Sequence, residues 1–122
     1  MYDDNVINDI KRLNFEELLS VIFIVVSILN ILGESNEKKY LKTKNNYYKN
    51  NANKIFELTI IITLFIYIYF FIRNYDSYKK VSDKEKKLYS IKLLSSCFLI
   101  AASLCLLYFQ EKQNDFEGTP AV

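Results

Sequence analysis

Residues 55–72 read IFELTIIITLFIYIYFFI, with one charge, Glu57, near the start. The rest of the stretch is apolar on every side rather than along one stripe. A helix of that kind belongs in lipid or in a large core. At 1.5 Å per residue it spans roughly 27 Å, close to the ~30 Å hydrocarbon thickness of a bilayer. It is therefore read as a transmembrane helix.

Two further stretches follow the same logic. Residues 15–32, FEELLSVIFIVVSILNIL, precede it, and residues 88–109, LYSIKLLSSCFLIAASLCLLYF, follow. The expected fold is an all-α integral membrane protein with three transmembrane helices in an up-down-up bundle. The 122 residues make one membrane domain. Hydrophobic residues are 51% and charged residues 25%, and the two classes are segregated. Of the sixteen Lys and Arg, all but Lys92 lie outside the three runs. A chain this short has too little polar surface to cover three such segments in water.

Local signals set expected boundaries. Residues 1–13 are acidic on balance, and Gly33-Glu34-Ser35 is a poor cleavage site, so the first run is expected to be retained. Asn14 with Glu17 forms a capping-box pair, placing the first helix start near Phe15. Gly33 sits where a C′ glycine would stop that helix. Ser82 with Glu85 places the third start near Asp83. In residues 34–54, Tyr and Lys recur at helical spacing. They fit an amphipathic helix over about 37–50 on the headgroups, or an extension of the second span. Residues 111–122 hold Gly118 and Pro120 and are expected to be a disordered tail.

Polar residues inside apolar runs are costly in lipid and mark candidate sites. At 100° per residue, Glu16, Ser20, Ser27 and Asn30 fall within about 80° of arc on the first helix. Thr59, Thr63, Tyr67 and Asn74 do the same on the second, and Lys92, Ser96, Ser103 and Gln110 on the third. Each helix thus carries a thin polar seam. It serves either as hydrogen-bonding glue between helices or, in an oligomer, as a polar path. Cys97, Ala101 and Cys105 recur every four residues and suit close helix packing. The two cysteines are roughly 12 Å apart along one helix, too far for a disulfide. Glu16 and Lys92 start their helices at the same membrane face, which makes them a candidate ion pair.

Chemistry is excluded more firmly than it is suggested. The chain has no His and two Cys, which rules out His/Cys metal centres. A net charge of +2 is too small to imply nucleic acid. There is no phosphate loop and no nucleophile–base set, so no catalytic residue and no cofactor is expected. The expected partners are the lipid bilayer and a membrane protein or further copies of the chain. The expected task is that of a small bacterial accessory or immunity-type protein of the cytoplasmic membrane, acting by helix packing. A self-assembling, holin-like pore is the alternative. On the N-terminal side, nine basic residues face seven on the other, which favours N-in, C-out.

Overall fold

The computed structural model describes residues 3–112. These form three helices and no strand: α1 Asp4–Thr43, α2 Asn46–Lys80 and α3 Asp83–Lys112. All three are long and apolar enough to cross a membrane. The protein is all-α, and its surface is that of a membrane protein. Ile24 is 61% exposed, Phe65 69% and Phe98 66%. In contrast, Thr59, Asn74, Ser96, Ser103 and Gln110 are buried. Such an inside-out arrangement is unfavourable in water and suits lipid, where apolar side chains lose nothing by facing outward.

The helices pack antiparallel. Along α1 and α2, Glu16 meets Arg73, Phe23 meets Tyr67 and Gly33 meets Phe56. Along α2 and α3, Asn74 meets Ser96 and Asn53 meets Gln110. The order is up-down-up, with α2 as the shared partner. Among the described residues, no Cα of α1 comes within 8 Å of one in α3. The buried residues of α1 are Leu19, Val26 and Gly33, and those of α3 are Ser96, Ser103 and Gln110. Both sets recur every seven residues, the repeat of left-handed helix packing.

The helices are longer than the apolar runs, which corrects three expectations. The first helix begins at Asp4, where the Asp3 carboxylate accepts from the Val6 N–H at 2.9 Å, and not at the Asn14–Glu17 pair. A break at Asn14 would orphan backbone donors next to the hydrocarbon, where each is expensive. Gly33 does not stop α1, which runs on to Thr43. Its place is a packing contact: a methyl group there would lie 2.9 Å from both Cδ1 and Cζ of the wholly buried Phe56 ring.

Residues 37–50 do not form a separate amphipathic helix. Residues up to Thr43 extend α1, and those from Asn46 begin α2. Lys44 turns the chain between them in the left-handed region, at φ 57°. Its N–H donates to the Tyr40 carbonyl at 2.6 Å, and Asn45 caps α2 by accepting from the Tyr47 N–H at 3.0 Å. The product is an upright helical hairpin standing beyond the apolar span.

The third helix starts at Asp83, with Glu85 N–H donating to the Ser82 carbonyl. It includes Glu111 and Lys112, so the helix overlaps the start of the expected tail. Residues 113–122 of that tail lie outside the described residues.

Candidate functional site

Besides the Asn74–Ser96 and Asn53–Gln110 pairs, the helices bring polar residues together in two larger groupings. The first is an ionic cluster at the boundary of the apolar span. Arg73 Nε lies 2.7 Å from Glu16 Oε2, and Arg12 Nε lies 3.7 Å from the same oxygen. The Tyr69 hydroxyl donates to that oxygen at 3.3 Å. The arginine contacts are ionic in geometry, since neither Nε–H makes an aligned hydrogen bond. Phe15 packs edge-on against Tyr69 beside the cluster. One carboxylate thus gathers two guanidinium groups and a phenol where α1 enters the span and α2 leaves it.

This replaces the pairing of Glu16 with Lys92. Lys92 sits on α3, which does not approach α1, and its side chain is exposed. Ser96 is level with Asn74, so Lys92 lies one turn farther out, beyond the end of the apolar run of α2. There its ammonium reaches headgroup water without a carboxylate partner.

The second place is a groove of about 300 Å³ in the membrane interior. Its polar lining is Ser27 and Asn30 from α1, Thr59, Thr63 and Tyr67 from α2, and Ser103 from α3. Apolar walls come from Phe23, Val26, Ile60, Leu99, Ala102 and Leu106. The groove exists because α1 and α3 both pack on α2 but not on each other. It occupies the middle of the span and the half nearer the hairpin.

The lining residues differ in how their polar atoms are satisfied. Ser27 donates back to the Phe23 carbonyl at 3.1 Å, and Thr59 to the Phe56 carbonyl at 2.8 Å. Such bonds to the helix's own turn occupy the donor and leave acceptor lone pairs facing the groove. Asn30 Oδ1 is buried and has no hydrogen-bond partner. Water-free hydrocarbon cannot supply one.

The other seam residues fall elsewhere. Ser96 is buried between α2 and α3, where Asn74 Nδ2 donates to its hydroxyl at 2.6 Å. Ser20 is exposed and donates to the Glu16 carbonyl at 3.2 Å. Cys97, Ala101 and Cys105 are all exposed on the far side of α3 from α2, so α2 does not pack on that stripe.

Sequence reasoning missed Arg12, Tyr69 and Arg73 as the companions of Glu16, and Asn53 as the partner of Gln110. A signal for the first was present. In an antiparallel pair, Glu16 at one helix start and Arg73 at the next helix end must share a membrane face. Asn53 carried no such signal, because it lies in an Asn-rich run with nothing to distinguish it. No protein-family model matches the chain, and comparison with curated proteins and with solved structures found no similar protein.

Proposed function

We propose that this protein works by packing against another helix within the membrane, as an accessory or immunity-type protein without chemistry of its own. The observation that carries this reading is the three-helix groove, which six polar side chains line: Ser27, Asn30, Thr59, Thr63, Tyr67 and Ser103. An acyl chain can fill such a groove but cannot hydrogen-bond to its lining. A helix presenting hydroxyl or amide groups can do both. The docking helix belongs to a membrane partner or to a second copy. The location is the cytoplasmic membrane, with the N-terminus inside, since the basic residues favour that side.

The alternative of a small pore rests on the same groove. It opens sideways, so several copies turned toward one centre would line a polar path. Two measurements separate these readings. Energy transfer between labelled copies in liposomes reports self-association, and entrapped dye reports a path. Packing predicts association, or cross-linking to a partner in native membranes, without leakage. Dye release that rises with protein density and is lost on Asn30→Leu or Thr63→Leu would establish the pore instead.

A further inference from the structure

The two ends of the molecule carry charge differently. Residues 3–17 and 73–87 hold eight basic side chains and eight carboxylates, which leaves that end neutral. The hairpin segment, residues 34–54, holds six lysines and two glutamates, a net charge of +4. Among the described residues, no carboxylate oxygen lies within 4 Å of the ammonium groups of Lys38, Lys39, Lys42, Lys44 or Lys54. At the neutral end, Arg12 and Arg73 pair with Glu16 and Lys79 with Asp76, while Lys80, Lys84 and Lys87 make no such pair among the described residues; the two ends differ in net charge.

The hairpin lysines are also gathered. Lys39 Nζ sits over the Tyr48 ring at 5.5 Å. Lys44 and Lys49 Nζ both sit over the Tyr40 ring, at 5.6 and 5.7 Å. Two phenol faces therefore hold three ammonium groups at the junction of α1 and α2. Cation–π contact orients such groups but does not neutralise them.

Their height above the span identifies the counter-charge. Lys39 is seven residues past Leu32, roughly 10 Å beyond the hydrocarbon edge at 1.5 Å per residue. The headgroup layer of one leaflet is about 5–7 Å deep. Side chains on a helix lean toward its N-terminus, and α1 leaves the membrane at this end. Lys38, Lys39 and Lys42 therefore lean back toward the headgroups. Lys54 stands directly at the edge, one residue before Ile55. Tyr40, also on α1, leans the same way, and such amphipathic rings favour the headgroup level.

We infer that the α1–α2 hairpin is a binding surface for anionic phospholipid headgroups in the leaflet from which it projects. The phosphate and the net negative charge of the lipid sit among the lysines, and the tyrosines set their positions. Basic clusters beside a span recognise anionic lipid by this arrangement, and the attraction is screened within a Debye length.

The experiment uses the full chain in phosphatidylcholine vesicles doped with spin-labelled phosphatidylglycerol or spin-labelled phosphatidylcholine. The motionally restricted fraction gives the relative association of each lipid. Phosphatidylglycerol is expected to be preferred about five-fold, the gain from one lysine near an anionic surface. The preference falls with added salt and is reduced in the triple variant K38Q/K39Q/K42Q. A matched variant at the neutral end, K80Q/K84Q/K87Q, keeps it. All six positions are exposed helix-surface residues, so both variants fold. Equal association of the two lipids with the unaltered protein overturns the proposal and leaves an acidic polypeptide as the hairpin's partner. A preference that survives the hairpin variant and disappears in the other overturns it as well.

Discussion

The two helix interfaces of this protein are held by different forces. Between α1 and α2 the joint is closed by shape and charge: Phe56 seated on Gly33, Phe23 near Tyr67, and Glu16 between two arginines. Between α2 and α3 the side of α3 that is buried consists of Ser96, Ser103 and Gln110. That joint is pinned by two side-chain hydrogen bonds, Asn74 to Ser96 at 2.6 Å and Gln110 to Asn53 at 3.0 Å. Lipid gives helices no hydrophobic reason to associate, so an interface must find close packing or polar contacts. This chain uses one solution on each side of α2. The first is steric and intolerant of change, while the second consists of bonds that each contribute little.

The contrast orders the expected effects of substitution, read as reversible unfolding in mixed micelles. Gly33→Ala is the most disruptive. Alanine gains about 1 kcal/mol of helix propensity, but the methyl group overlaps a ring with nowhere to move. Overpacking of this kind costs about 1–3 kcal/mol, and the upper end is expected here. Phe56→Leu in the same chain should recover part of the loss. Absence of that rescue would show that Gly33 matters for another reason.

Glu16→Gln comes next. It leaves Arg12 and Arg73 facing each other at the edge of the span. Removing one partner of a buried pair costs about 3–5 kcal/mol, and an exposed pair is worth under about 1. The side chains of Glu16 and Arg73 are partly exposed, so about 2 kcal/mol is expected. In double-mutant cycles, Glu16 and Arg73 should couple, whereas Glu16 and Lys92 should be additive. Coupling to Lys92 would mean that α1 and α3 touch.

Ser96→Ala is expected to cost less, about 0.6 kcal/mol, the average for hydrogen bonds between membrane helices. A cost above that of Gly33→Ala would invert the comparison. The smallest effect concerns Glu37, in the hairpin beyond the apolar span. Burial, and then the neighbouring Glu34 carboxylate, raise its pKa above the ordinary value. A raised carboxylate pKa means that the folded state binds the proton more tightly than the unfolded state does. Stability should therefore rise slightly as pH falls from neutral through the folded value. Glu37→Gln should be slightly stabilising at neutral pH and should flatten that dependence.

Most of the fold was legible because lipid enforces a simple rule. A mostly apolar run of eighteen residues or more with at most two charges has few alternatives, and 15–32, 55–72 and 88–109 each lie inside an observed helix. The boundaries were not legible from local motifs. Asn14–Glu17 and Gly33 have the chemistry of caps, yet the hydrogen-bond ladder runs through both. Angular reasoning placed Ser27, Asn30, Thr59, Thr63, Tyr67 and Ser103 on polar seams, and all six line the groove. It could not show that α1 and α3 stay apart, because seam angles carry no information on which helices touch. The exposed Cys97, Ala101 and Cys105 stripe makes the same point: small spacing permits close packing without saying that any helix arrives.

The most direct test of the groove as a helix-docking site is photocross-linking in intact membranes. A photoreactive residue is placed at Ala102, in the groove wall, and separately at Leu104, two positions on and facing the opposite side of α3. The account predicts a protein adduct from position 102, diminished by Asn30→Leu, and lipid adducts alone from position 104. Lipid adducts alone from both positions, or equal protein adducts from both, would contradict it.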